Sequence, residues 1–274
     1  MARRYQTVLV TGASSGMGKD FAHRLVKDGY TVFVAARSVG KMQDLADAGA
    51  IPIKMDISKD DEIVAAVEQI REKTGGVDVL INNAGFAQYG PVEETTIDAA
   101  RYQFEVNLFG LARLTQLLLP FMRDQKKGLI INISSMGGKM YTPLGAWYHA
   151  TKHALEGWSD CLRLEVEPLG VNVVIVEPGA ILTGFGEALT EHYSGDAEGP
   201  YGTLIKAMER ATENSYERGL GSPPGVITDL VMRAIQARRP KTRYVAGALA
   251  RPLMTARRVL PDRWFDRLLM RQMK

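Results

Sequence analysis

Short apolar runs rich in β-branched residues recur along the chain, at 7–10, 31–35, 51–55, 77–81, 129–133 and 171–176, with a weaker run at 243–245. Longer segments of mixed polarity separate them, among them 16–27, 58–73, 95–126 and 147–169, each long enough for a helix. Strands that are apolar almost throughout, alternating with helices, imply a parallel sheet covered on both faces. The expected fold is therefore α/β: a doubly wound, parallel, seven-stranded sheet with helices on both faces. Ser58, followed by Lys59, Asp60 and Asp61, reads as a helix N-cap with acidic residues in the first turn.

No repeat or linker interrupts the pattern, so residues 1–274 are expected to form one domain. Its rhythm breaks at 184–224, where seven glycines are scattered among short apolar pieces. An irregular insertion of that length in a compact fold reads as a lid over a site. The apolar run that begins the chain is short and stops at a turn, so it reads as a first strand and not a secretory signal. No apolar stretch reaches the roughly 20 residues of a membrane span. The lone cysteine, Cys161, excludes an internal disulfide framework and fits a reducing, cytoplasmic setting. With Trp158 and Leu162 beside it, it is expected to be a buried structural thiol.

Net charge is +3, but it is unevenly spread. Residues 231–274 hold 12 Lys/Arg and 2 Asp/Glu, whereas the other 230 residues hold 22 and 29. A basic C-terminal extension, about 247–274, invites membrane or nucleic-acid readings. No recognition motif accompanies the charge, so nucleic acid is not expected as a partner.

The first strand runs into Thr11-Gly12-Ala13-Ser14-Ser15-Gly16-Met17-Gly18 and then a helix. Gly12, Gly16 and Gly18 remove side chains where the backbone turns sharply and must approach a pyrophosphate. Free N–H groups at the helix start, around Ser14, Ser15 and Met17, then face the anion. The second strand ends at Arg37 with no carboxylate at 34–38. An acid there would hold a ribose 2′-hydroxyl, whereas a guanidinium suits a 2′-phosphate, so the expected cofactor is NADP(H) rather than NAD(H). Asp56 and Ile57 end the third strand, where an acid meets an adenine edge and an apolar chain covers its face. Asn82-Asn83-Ala84-Gly85 ends the fourth, and its small residues allow backbone contact with a ribose.

Tyr148 and Lys152 stand four apart on an expected helix and share a face. A free tyrosine, with pKa about 10, is a poor acid or base at neutral pH, and a lysine ammonium one turn away is a source of phenolate stabilisation. Ser134 and Ser135 end the fifth strand and point to opposite sides, and spacing alone does not choose between them. His149 follows Tyr148 but points about 100° away on a helix, so it is not read as the base. His23, His153 and His192 share no spacing with acids or cysteines that would suggest a metal site.

Taken in order and spacing, TGxxxGxG, NNAG, Asn107, Ser135, YxxxK and Pro178-Gly179 resemble the short-chain dehydrogenase/reductase superfamily, from about residue 7 to 183. The resemblance implies a Rossmann-type sheet and hydride transfer between a nicotinamide and a carbonyl or alcohol. It selects Ser135, 13 residues before the tyrosine, over Ser134. It implies that Tyr148 is the general acid/base, that Ser135 orients the carbonyl, and that Lys152 binds the nicotinamide ribose and lowers the tyrosine pKa. Asn107 would hold a proton-relay water. Ile181 and Thr183, after Pro178-Gly179, would hold the carboxamide.

Large apolar residues around Tyr148 (Phe86, Tyr89, Met136, Met140, Tyr141, Phe185 and Leu189) suggest a small hydrophobic substrate. The sequence resembles the hydroxysteroid and retinol dehydrogenase-like members more than the sugar or acyl-carrier members. A homodimer or homotetramer is expected. Residues 261–274 form an amphipathic pattern, with Trp264, Leu268 and Arg271 on one face and Phe265, Leu269 and Met273 beside it. Peripheral membrane contact competes there with a flap over the substrate mouth or a subunit contact. A catalytically silent dinucleotide sensor is the alternative function, but a sensor needs none of Ser135, Tyr148, Lys152 and Asn107.

Overall fold

The computed structural model describes residues 3–183, 195–217 and 221–271, with the side chains of 213–217 excepted. Phe185 and Leu189, and much of the expected lid, lie outside the described residues.

Seven strands form one sheet: β1 (Thr7–Thr11), β2 (Thr31–Ala36), β3 (Ile51–Lys54), β4 (Val79–Asn82), β5 (Gly128–Ile133), β6 (Val171–Pro178) and β7 (Arg243–Ala246). Their order is β3-β2-β1-β4-β5-β6-β7, and every neighbouring pair is parallel. Successive residues of a strand point to opposite faces. Val8 and Val10 thus join Phe21 and Leu25 of α1 (Gly16–Lys27) on one face. Between them Leu9 joins Ile63, Val67 and Ile70 of α3 (Asp60–Thr74) on the other. α2 (Gln43–Asp47) adds Leu45 to the first face. α5 (Gly110–Asp124) and α6 (Ala146–Val166) cover the second, through Leu114, Leu118, Leu162 and Val166. Strand order reverses between β1 and β4, which opens a crevice at the carboxyl ends of the strands.

The helix expected over 95–126 exists but is not regular. It comprises α4 (Ile97–Phe104), a π-helical turn (Glu105–Phe109) and α5. Gly110, at the exit from the wide turn, lies so close to the third strand's end that an added Cβ would stand 1.9 Å from the Ile57 carbonyl oxygen. Any side chain there would push the helix off the sheet.

Two local expectations are corrected. Lys59, not Ser58, is the N-cap residue of α3; the Ser58 hydroxyl instead donates to Asp56 Oδ1 at 2.7 Å. An Asx-type turn captures it before the helix can. Cys161 is exposed rather than buried, because the face of α6 that meets the sheet passes through Leu155, Leu162 and Val166.

The later helices are α7 (Gly202–Glu217), α8 (Gly225–Gln236), α9 (Ala250–Val259) and α10 (Asp262–Arg271). α8 joins the first face of the sheet through Ile227, Val231 and Ile235. α9 and α10, the expected C-terminal extension, bury Leu253, Phe265 and Leu269 against Met140. Among the described residues no helix is long and apolar enough to cross a membrane.

Candidate active site

At the carboxyl ends of the strands lies a cavity of about 770 Å³, more apolar than polar in its lining. One end is built by the glycine-rich turn. Gly12 has φ +66° and an added Cβ would meet Ala84 Cα at 2.8 Å, so the turn needs glycine on both counts. Asn83 Nδ2 donates to the Thr11 carbonyl at 3.0 Å, and Thr11 Oγ1 accepts from the N–H groups of Asn83 and Ala84 at 3.0 Å each. These bonds lock the ends of β1 and β4 together. Ser15, the N-cap of α1, makes no side-chain capping bond, and Ser15, Gly16 and Met17 at the start of the helix line the cavity.

At the far rim Arg37 is exposed and donates to the Tyr102 hydroxyl at 3.4 Å. Burial raises the affinity of Asp56 for its proton, but hydrogen bonds from Ser58 and the charges of Arg37 and Lys59 outweigh it, and the carboxyl is held below its ordinary range. Ser38 and Lys41 also face this rim. Ser38 caps, and Lys41 lies within, a short 3₁₀ segment (Val39–Met42) that follows Arg37.

Ser135 stands two residues past the end of β5, with its Oγ accepting from the Gly137 N–H at 3.0 Å, and it is a hydrogen-bonding neighbour of the Tyr148 hydroxyl. Ser134 faces away: its buried Oγ lies on the Gly138 and Glu156 side. Burial, with the neighbouring Tyr89 ring at 5.9 Å, raises the Tyr148 pKa, and the Ser135 contact only partly opposes this. Lys152 is also buried, and burial pushes it down to about 8 despite the nearby Glu156. Its Nζ donates to the Ile133 carbonyl at 2.9 Å and stands 6.0 Å from the centroid of the Tyr148 ring. Burial is the largest effect on both groups, raising the tyrosine and lowering its lysine.

Asn107 sits on the π-helical turn, wholly buried, where Oδ1 accepts from Phe86 N at 3.0 Å and Nδ2 donates to Phe86 O at 2.9 Å and Thr151 Oγ1 at 3.2 Å. His149, one residue past the tyrosine, fastens the site's loops. Its Nε2 accepts from the Thr142 N–H at 3.0 Å, so Nδ1 carries the proton donated to Gly137 O at 2.9 Å. Burial lowers its pKa to about 4, and the ring is neutral.

Ser135, Tyr148 and Lys152 line the cavity, as do Gly12, Ser14, Ser15, Gly16, Met17, Arg37, Asp56, Ile57, Asn83, Ala84, Gly85, Pro178, Gly179, Ile181 and Thr183. Gly18 and Asn107 do not line it. Gly18 instead packs beneath the turn, where an added Cβ would meet Gly12 O and Asn83 Nδ2 at 2.5 Å. Beyond Tyr148 the cavity continues past Phe86, Tyr89, Met136 and Met140. Leu249, Leu253 and Leu269 close this end, and no local signal in the sequence marked them as site residues. Tyr141 stays outside the lining, stacked edge-on to Phe265 at 5.4 Å and donating to Asp266 Oδ1 at 2.9 Å.

Comparison with known proteins agrees with this geometry. The short chain dehydrogenase family model matches residues 6–194. The 3-ketodihydrosphingosine reductase of Bacteroides thetaiotaomicron is 33% identical over 263 residues, covering 94% of each chain. The NADPH-dependent 3-dehydrocapnine reductase of Ornithobacterium rhinotracheale is 32% identical, covering 97% of this chain and 96% of the relative. Among solved structures, a short-chain dehydrogenase from Streptomyces avermitilis superposes with a TM-score of 0.82 at 36% identity, covering 92% of each chain. One from Burkholderia phymatum, in complex with NAD, superposes at 0.79 and 25% identity, covering 94% of each. The chain belongs to the short-chain dehydrogenase family and is an oxidoreductase.

Proposed function

We propose that the protein moves hydride between NADP(H) and the carbonyl or secondary alcohol of a hydrophobic substrate. The observation that carries this reading is the position of Ser135 and Tyr148, whose hydroxyls stand together where a phosphate-binding turn meets an apolar chamber. The glycine cradle and the buried Lys152 Nζ fit a nicotinamide dinucleotide, which when bound supplies or accepts the hydride.

The chain's own residues handle the proton. Ser135 orients the substrate oxygen, and Tyr148 gives that oxygen its proton in reduction and removes it in oxidation. Lys152 holds the nicotinamide ribose and offsets the burial that disfavours the phenolate. Asn107, through Phe86 and Thr151, fixes the helix turn behind these groups and holds the relay water. Arg37, aided by Lys41, meets the 2′-phosphate. Asp56 and Ile57 border the adenine, while Ile181 and Thr183 hold the carboxamide.

The chamber favours a long or bulky apolar ketone. Steroid-like and retinoid-like ketones fit that description, and the two reductases named above support adding long-chain ketones. α9 and α10 are inferred to serve as the mouth's flap, with Leu253 and Leu269 inward and Trp264 and Arg263 outward. The outer side is inferred to touch anionic lipid. Exposed Phe109 and Leu164 support a contact between subunits. Loss of NADPH absorbance across a panel of such ketones tests the reading, and an inert panel with intact cofactor binding supports the silent sensor instead.

A further inference from the structure

Behind the catalytic residues, on the side away from the cavity, is a charge cluster that the reaction does not use. Glu156, one helical turn beyond Lys152 on α6, is 3% exposed, and Glu177, immediately before Pro178-Gly179 at the end of β6, is 1% exposed. Arg243, the first residue of β7, reaches both: Nη2 donates to Glu156 Oε2 at 3.0 Å, and Nε lies 3.4 Å from Glu177 Oε1. Nη2 also donates to Asp160 Oδ2 at 2.6 Å, and Lys139 Nζ lies 3.0 Å from Glu156 Oε2. Asp160 is in turn paired with Arg163.

Two oxygens remain without a hydrogen bond, Glu156 Oε1 and Glu177 Oε1, both buried. Two buried carboxylates side by side cannot both ionise cheaply, and a proton between them supplies the missing donor. We infer that Glu156 and Glu177 share one proton, and that this pair, clamped by Arg243, is a positioning device that fixes the Tyr148 and Lys152 helix against the Pro178-Gly179 turn. The clamp also reaches the segment after Ser135, since a Cβ at Gly138 would stand 3.0 Å from Glu156 Cγ and 2.8 Å from Ser134 Oγ. It thus joins the three pieces of backbone that carry Ser135, Tyr148 with Lys152, and Pro178. The inference rests on the proposed reaction only for its kinetic readout.

Burial and the Glu156 charge raise the Glu177 pKa to about 7, against the pull of Arg243 and Lys139. Because the folded value is raised, the pair's contribution is full at acidic pH and is lost as the pH rises through about 7. Lys152, one helical turn before Glu156, is held by burial at about 8, the upper edge of the range tested, and Glu177→Gln leaves it in place.

The test uses Glu177→Gln, whose amide mimics the protonated acid, beside Glu177→Ala. Glu177→Ala is expected to lower kcat about tenfold while the ketone KM moves less than about twofold, since the loss is of alignment. Glu177→Gln is expected to recover most of that loss and to flatten the change in NADPH Kd and Tm expected of wild type between pH 6 and 8. Wild-type and Glu177→Gln profiles that superimpose over that range would overturn the inference, as would a folded Glu177→Ala with unchanged kcat. Should no ketone be reduced, the reductase reading fails alone. The Kd and Tm profiles then still decide the clamp: a flattened Glu177→Gln profile upholds it, and an unchanged one ends it.

Discussion

The Lys152 ammonium donates to the carbonyl oxygen of Ile133, the last residue of β5, at 2.9 Å. One buried lysine thereby ties the helix that carries Tyr148 to the strand that precedes Ser135. Burial costs stability, because its pKa falls from 10.5 to about 8 and the folded state must hold the charge below that value. Lys152→Met should therefore stabilise the protein at pH 7. Relief of the buried charge is about 3 kcal/mol, less about 1 kcal/mol for the orphaned carbonyl. The gain should shrink as the pH rises from 8 to 10.5, where wild type no longer pays the penalty. Denaturant titrations at pH 7 and pH 10 check this, and a variant less stable than wild type at pH 7 would contradict it. Activity should be lost.

Tyr148→Phe removes only the ionisable oxygen. Turnover should fall by at least about a hundredfold while NADPH affinity holds. Retention of more than a few per cent of the rate on a verified substrate would mean that another group moves the proton. In the companion pair, Ser135→Ala should lose more than Ser134→Ala, since only Ser135 neighbours the phenol hydroxyl.

The contact proposed between Arg37 and a 2′-phosphate predicts a cofactor preference. NADPH should bind at least tenfold more tightly than NADH, which is about 1.4 kcal/mol and modest for a charge-assisted contact. Arg37→Ala should collapse the ratio, and Lys41→Ala should narrow it. Fluorescence titrations of both cofactors decide the matter: an unchanged ratio in Arg37→Ala removes the assignment.

His149 sets an acid limit on stability. Its folded pKa is depressed from 6.5 to about 4, so its contribution is complete above pH 6.5 and is lost as the pH falls towards 4. The loss is roughly 3 kcal/mol across that window. His149→Gln should lack this acid slope in a series of melts, and a slope equal to wild type would assign the acid sensitivity to other groups.

Removing residues 261–274 strips away Phe265 and Leu269, which pack on Met140 at the chamber's closed end. The apparent affinity for a bulky ketone should weaken while NADPH affinity stays within about twofold. Binding of the intact protein to anionic vesicles should fall steeply with salt, since attraction of exposed Arg and Lys to lipid weakens as the Debye length shortens. Loss of NADPH binding in a truncated protein still folded by circular dichroism would place the tail in the cofactor site.

Local pattern alone determined much of this protein. Residues two apart share a face of a strand and residues four apart share a face of a helix. The apolar runs therefore revealed all seven strands, and the spacing of Tyr148 and Lys152 put both on one side of α6. The glycine turn was legible for a similar reason: a backbone that must bend sharply at Gly12 and admit Ala84 tolerates no Cβ, and that demand is written into the eight consecutive positions from Thr11 to Gly18. The family pattern then selected Ser135, and the fold turns Ser135 towards Tyr148 and Ser134 away from it.

What only the tertiary structure decided are relations between residues distant along the chain. Leu269 enters the cavity, and Phe265 reaches Met140, because β7 lays the chain's end beside β6; no spacing within 261–274 could distinguish that from an outward-facing helix. Gly110 approaches Ile57, Lys152 binds Ile133, and Arg243 meets Glu156 and Glu177 through the packing of elements far apart along the chain. Burial, too, is a property of the whole assembly. It makes Tyr148 a weaker acid, Lys152 a weaker base and His149 neutral, and it acts through surroundings drawn from several elements. Hydrophobic periodicity reports which side of an element is covered, and leaves open what covers it.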